Sequence, residues 1–264
     1  MVQFVFTNHP ILSDNMAAPF PTPTKTWHTK SYPAIDPTRP ELSAKGKTVV
    51  VTGGGTGIGA ETARYFAKAG ASKIGILGRR EQPLLETKAR IEKEFPNVEV
   101  IAASADITKK SDVDAAFAKV VGDGKIHVLI SNAGLMGPLV PIKDVNGDEF
   151  VGAIESNIRG AFNVAQAFLR YAVEDAHVVE TSSSSAHVDF GPGLASYSTS
   201  KMAKVRFWNA LAFENPSISV FHTQPGVIDT AMNREVGGIE ALGFEDDSKF
   251  KPNFLTTHRN ANLI

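Results

Sequence analysis

The sequence predicts an α/β fold: one doubly wound parallel sheet, three layers deep, forming a single domain. Three observations carry this expectation. Short apolar runs alternate with helical stretches over spacings of about 25–50 residues, the mark of βαβ units. The first of these runs leads straight into a glycine-rich turn. Finally, 42% of the 264 residues are hydrophobic, enough for one sizeable core.

Residues 1–45 contain Pro10, Pro19, Pro21, Pro23, Pro33, Pro37 and Pro40. Proline lacks an N–H and restricts its neighbour, so this N-terminal extension is expected to be irregular. A tail is favoured over an arm lying on a neighbouring subunit. The folded domain is expected over 46–244, with an atypical tail over 245–264. Thr48–Val51 is β-branched and apolar, as a buried parallel strand should be. A helix over Ile58–Ala69 follows, with Gly70 as its stop. Then come a strand (Lys73–Leu77), a helix (Pro83–Phe95), a strand (Val98–Ala102), a helix (Lys110–Val121) and a strand (His127–Ile130). A long helix over Glu149–Tyr171 precedes a strand at His177–Glu180, a helix at Ser196–Phe213 and a sixth strand at Ile218–His222. Right-handed crossovers between such strands give the open sheet.

Composition excludes several classes. There are no cysteines, so disulfides, thiolate metal sites and a cysteine nucleophile are ruled out. The net charge of -1 and the lack of long basic runs speak against a nucleic-acid partner. No apolar run reaches the roughly 20 residues of a membrane helix, and no secretory signal is visible. A cytoplasmic location is the default expectation. The histidines are scattered without ligand spacing, so no metal is expected.

The first site is a phosphate cradle. Thr52-Gly53-Gly54-Gly55-Thr56-Gly57-Ile58-Gly59 follows an apolar strand and opens a helix. Glycine permits positive φ and close approach of backbone to a pyrophosphate. The helix N-terminus directs N–H groups at the anion. In a Rossmann-type sheet an acidic residue after the second strand selects NAD. Here that slot holds Arg79, followed by Arg80. A guanidinium can pair bidentately with a 2′-phosphate, so NADP(H) is the expected cofactor, with Glu81 a neighbour that weakens the pairing.

A tyrosine and a lysine four residues apart, Tyr197 and Lys201, fall on one face of a predicted helix. A free phenol titrates near pH 10. A neighbouring ammonium lowers that value and suits the phenol to proton transfer.

The spacing Gly53, Gly57, Gly59 and the pair Tyr197…Lys201 resemble the short-chain dehydrogenases/reductases. The resemblance implies an oxidoreductase that moves a hydride between NADP(H) and a carbonyl or secondary alcohol, with Tyr197 as proton donor. It implies that Lys201 also holds the nicotinamide ribose, and that Asp106 and the backbone of Ile107 hold the adenine. It gives Asn132-Ala133-Gly134 a mainly structural place beside the cofactor. Pro225, Gly226, the backbone of Ile228 and the hydroxyl of Thr230 then contact the nicotinamide. Asn157 is implied to hold a water that links the lysine to solvent; a buried asparagine bonded to backbone is the plainer alternative. The catalytic serine is open: counting back from Tyr197 gives Ser184, slightly favoured, and counting forward from the strand gives Ser183. The resemblance further implies pairing into a homodimer or homotetramer.

The resemblance covers about residues 46–232. Asn233–Phe244 could form part of a substrate lid, but no apolar seventh strand follows, as in a truncated or alternatively spliced end. Leu135, Met136, Phe190 and Met232 suggest an apolar pocket wall and a lipophilic small-molecule substrate. His187 and Asp189 are read as surface-loop residues before substrate contacts. Two rival functions remain: a non-catalytic NADP-binding sensor or partner module on the same fold, and a dehydratase or epimerase, which usually needs a longer chain.

Overall fold

A computed structural model describes residues 32–189, 191–226 and 228–235. Within these, six strands form one parallel sheet in the order β3-β2-β1-β4-β5-β6. The strands are β1 (Thr48–Thr52), β2 (Lys73–Gly78), β3 (Glu99–Ser104), β4 (Ile126–Ser131), β5 (Ala172–Thr181) and β6 (Ser219–Thr223). Between them run α1 (Gly57–Lys68), α2 (Glu81–Glu94), α3 (Lys110–Val121), α4 (Gly147–Tyr171) and α5 (Ala195–Glu214), and α6 (Ala231–Glu235) follows β6. This is the three-layer, doubly wound fold that the alternation predicted.

Strand alternation divides the core. Val49 and Val51 turn to one face and join Ala63, Ala67, Leu84 and Ile91 from α1 and α2. Val50 turns to the other and joins Phe117, Val164, Phe168, Trp208 and Leu211 from α3, α4 and α5. Both faces are covered, so the strands read as continuous apolar runs rather than alternating ones. The strand order reverses between β1 and β4. In an open sheet that switch point leaves a crevice at the carboxyl ends of the strands, where ligands bind.

Element boundaries follow the sequence closely except at β5. The strand begins at Ala172, directly after α4, and pairs Ile126 before a register shift brings Val128 against His177. Exposed Glu174 and Asp175 interrupt its apolar pattern, which is why only its second half is legible. At the N-terminal end, short 3₁₀ turns at Pro33–Ile35 and Pro40–Leu42 lead to buried Ala44, whose N–H bonds the Ala69 carbonyl at the end of α1. The remainder of the N-terminal extension, Phe190, Val227 and residues 236–264 lie outside the described residues. So do most of the expected lid and the place of a seventh strand.

Candidate active site

The glycine turn closes the carboxyl end of β1. Gly53 and Gly57 have φ of +69° and +53°, the left-handed region that side chains avoid. A Cβ on Gly59 would lie 2.3 Å from the Gly53 carbonyl oxygen. The turn and the first coil of α1 are therefore packed backbone against backbone. Thr56 is the N-cap of α1, and no side chain caps the helix there. The turn is tied at both ends: Gly54 N–H donates to the Leu77 carbonyl, and Thr87 Oγ1 donates to the Gly55 carbonyl. A cradle that any Cβ would fill, at an uncapped helix N-terminus, fits a pyrophosphate.

Asn132 clamps this cradle to β4. Its Nδ2 donates to the Thr52 carbonyl at 3.0 Å, while the N–H groups of Asn132 and Ala133 both donate to Thr52 Oγ1 at 3.0 Å. A Cβ on Gly134 would lie 3.1 Å from Asn157 Oδ1, which links the same segment to α4. Opposite the cradle, the loop after β6 brings Thr230 Cγ2 to 3.2 Å from where a Gly57 side chain would begin. Gly226, at φ +83°, turns that loop. The Ile228 carbonyl accepts from Asn233 Nδ2, and Thr230 Oγ1 accepts the Asn233 N–H. Thr230 thus reaches the cradle from the other half of the sheet, while Pro225 and Ile228 stay half-buried.

Arg79 and Arg80 are exposed just beyond β2, and the Arg79 carbonyl accepts from Ser104 at the end of β3. The neighbouring Asp106 accepts from the Thr108 N–H and hydroxyl at 3.0 and 2.8 Å, and these bonds hold its carboxyl below the usual range. The Asp106 side chain therefore serves as a loop cap. Ile107 is seated on α4: its carbonyl accepts from Asn163, and Gly160 leaves room for its side chain, which a Cβ there would meet at 2.4 Å.

The tyrosine–lysine pair lies on α5, packed against the carboxyl end of β5. Lys201, only 7% exposed, donates from Nζ to the Thr181 carbonyl at 2.6 Å, and its Nζ lies 5.6 Å from the Tyr197 ring centroid. Burial pushes the Tyr197 phenol above its ordinary value, against a hydrogen bond from Ser183 and the Lys204 charge, which pull it down. The sequence led us to expect a net lowering by Lys201; instead that ammonium turns to the strand end, and desolvation dominates. Burial also lowers Lys201 itself.

The run of four serines separates by partner. Ser183 hydrogen-bonds Tyr197 and accepts the Ser185 N–H. Ser184 is bound to Gln224 at both ends: its N–H donates to Oε1, and Gln224 Nε2 donates to its Oγ. Ser183, rather than Ser184, is thus the serine that acts on the Tyr197 phenol. Asn157 is buried and fully engaged: Oδ1 accepts the Leu135 N–H, and Nδ2 donates to the Leu135 carbonyl and to Ser200 Oγ, each at 3.0 Å. Its side chain does what the plainer alternative requires, tying α4 to α5 and to the segment after β4.

His187 and Asp189 are exposed and line an open hollow with the Thr199–Met202–Arg206 side of α5. Among the described residues no group of histidine and carboxylate side chains could hold a metal, and no helix is long and apolar enough to cross a membrane. The buried charges Glu180 and Lys204 escaped the sequence reading. A glutamate at the end of the apolar run Val178-Val179 was the available signal.

The family profile for short chain dehydrogenase matches residues 47–239. The chain is 30% identical over 236 residues to a short chain dehydrogenase/reductase of Claviceps purpurea, covering 88% of this chain and 79% of that one. It is 34% identical over 195 residues to a sorbose reductase of Schizosaccharomyces pombe, covering 72% and 76%. An alcohol dehydrogenase of the archaeon Thermococcus sibiricus, solved with 5-hydroxy-NADP, matches with a TM-score of 0.64 and 28% identity over 70% of this chain and 77% of that one. With all six strands inside the profile match and relatives about 30% identical over most of its length, this chain belongs to the short-chain dehydrogenase family of oxidoreductases.

Proposed function

We propose that the protein reduces a carbonyl group with NADPH, with Tyr197 as the proton donor. One observation carries the reading: Ser183, Tyr197 and Lys201 converge at the carboxyl end of β5, on the sheet edge where the glycine cradle closes β1. Gly53, Thr56, Gly57, Ile58 and Gly59 would hold the pyrophosphate, Asp106 and Ile107 the adenine end, and Thr230 and Ile228 the nicotinamide end. When bound, the cofactor supplies the hydride. Arg79 and Arg80 favour a 2′-phosphate at the end of β2, and the NADP analogue bound by the archaeal alcohol dehydrogenase supports that choice.

The chain's own residues would then act on the substrate oxygen. The Ser183 hydroxyl donates to it and orients it. Tyr197 gives its proton to the same oxygen as the carbon is reduced. A phenol raised by burial stays protonated at neutral pH, which suits donation. Lys201, held by the Thr181 carbonyl, would bind the nicotinamide ribose hydroxyls. Asn157 fixes the Leu135 segment against α5. Half-buried Leu135, Met136 and Met232 support a lipophilic substrate. A cytoplasmic homo-oligomer is part of the same reading, and exposed Phe162 and Met202 on α4 and α5 support the pairing.

The test is a carbonyl panel read by NADPH absorbance, with NADPH and NADH titrations alongside. Turnover that falls by about 10²-fold or more in Tyr197→Phe, with cofactor binding kept, supports the reading. Tight NADPH binding without turnover on any carbonyl, and no difference in Tyr197→Phe, would instead favour a sensor.

A further inference from the structure

Behind the tyrosine–lysine pair lies a set of charged groups that this mechanism does not use. Alternate side chains of β5 face α4 and α5; Val178 there is core, and the next, Glu180, is 0% exposed. Glu180 is in register with His222 on β6. His222 Nδ1 lies 3.1 Å from Glu180 Oε2, and its Nε2 lies 3.0 Å from Asn209 Oδ1 on α5. From α5, Lys204 Nζ comes to 3.3 Å from Glu180 Oε1, and Lys204 is 1% exposed. Tyr197, Lys201 and Lys204 are spaced i, i+4, i+7, which puts all three on one helical face. Two ammonium groups and one carboxylate are therefore buried under the phenol.

Stability alone does not account for this pair. Withdrawing two charges from water costs several kcal/mol per ion, and an apolar pair of similar volume is often as stable or more so. Among the described residues, neither Lys204 Nζ nor Glu180 Oε1 has a well-formed hydrogen bond, so the contact is electrostatic rather than geometrically optimised.

We propose that Lys204, held in place by Glu180, is a positioning residue for the Tyr197 proton: a second buried ammonium that sets how readily the phenol gives up and regains it. The proposal rests on Tyr197 being the proton donor. The Lys204 charge favours the phenolate, and the Glu180 charge opposes it less strongly. Burial would raise the Glu180 carboxyl, but Lys204, the His222 hydrogen bond and Lys201 together hold it well below its ordinary value, as an anion. Burial and the Lys201 charge lower Lys204, against Glu180. Among the described residues, the charged groups acting on Lys204 and Tyr197 are Glu180 from β5 and Lys201 from α5, while His222 of β6 binds the other carboxylate oxygen of Glu180 and α4 presents the uncharged Asn157 to Ser200.

The test uses the full chain and two readouts. One is the pH profile of alcohol oxidation with NADP⁺, in which the base must be the phenolate. The other is ultraviolet titration of the phenol, isolated by subtracting the matching Tyr197→Phe protein. Lys204→Met should move both to higher pH by about half a unit or more, and Lys204→Arg should leave them in place. Loss of rate with neither readout displaced in Lys204→Met would overturn the proposal, since a purely structural role lowers activity without moving the titration. If Lys204→Met does not fold, Lys204→Gln decides on the same criterion. If no protein transfers hydride, the oxidoreductase reading fails, and the ultraviolet titration alone decides whether Lys204 governs the phenol.

Discussion

Lys201 donates its ammonium to the Thr181 carbonyl, the last residue of β5, at 2.6 Å. This bond fixes the lysine at the strand end and leaves the phenol of Tyr197 to a different partner, the Ser183 hydroxyl. The serine two positions past Thr181 and the lysine bound to its carbonyl are thus set by one strand terminus.

The first prediction follows from that division of partners. Ser183→Ala should lower kcat for carbonyl reduction by about 10–10²-fold, because it removes a donor to the substrate oxygen. Ser184→Ala, which severs only the link to Gln224, should change kcat by less than about threefold. Steady-state kinetics of both variants check this, and the reverse ranking would make Ser184 the catalytic serine.

Arg79 should decide between the two dinucleotides. Replacing it with aspartate puts a carboxylate where a 2′-phosphate would lie. NADPH affinity should fall about tenfold or more, roughly 1.4 kcal/mol, with NADH affinity equal or better. Fluorescence titration of the reduced cofactors reads this directly. Unchanged NADPH affinity would mean Arg79 is an ordinary surface cation.

Gly59→Ala places a methyl 2.3 Å from the Gly53 carbonyl oxygen, and that backbone cannot yield by side-chain rotation. We expect a loss of about 1–3 kcal/mol in stability and a cradle too distorted to bind cofactor. Gly70, at φ +86° but with nothing within 4 Å of an added Cβ, supplies the control. Gly70→Ala should destabilise through backbone strain alone and keep cofactor binding. Thermal melts with and without NADPH separate the two effects.

Asp106 should contribute stability that depends on pH. Its bonds to the Thr108 N–H and hydroxyl lower its pKa from the ordinary 3.8. A carboxyl lowered on folding stabilises above its unfolded value, and that contribution disappears as pH falls through the folded value. Asp106→Ala should therefore melt about 2–4 °C lower than wild type at pH 7, and the gap should close below pH ~4. A gap that persists unchanged into acid would assign the loss to packing instead.

Much of the site was legible because its residues serve local geometry. The glycine cradle must follow a strand and open a helix, and both signals lie within the dozen residues from Thr48 to Gly59. Tyr197 and Lys201 share a helix, so helical spacing alone puts them on one face. The choice between Ser183 and Ser184 was not legible, because it turns on how the 3₁₀ turn at Ser184–Ala186 rotates successive side chains and on where Gln224, just past the end of β6, comes to rest. Asn157 was picked out as an odd residue inside a helix, but its three partners come from the segment after β4 and from α5.

The sequence by itself determined the layered sheet, the helix order, the phosphate cradle and the tyrosine–lysine pair, since periodicity and glycine placement act over a few residues at a time. Tertiary structure alone decided which hydroxyl meets the phenol, that burial outweighs the nearby ammonium in setting the Tyr197 proton, and that Glu180, Lys204 and His222 meet. Those outcomes depend on desolvation and on distances between groups far apart in the chain, and neither quantity exists until the sheet and α5 are packed together.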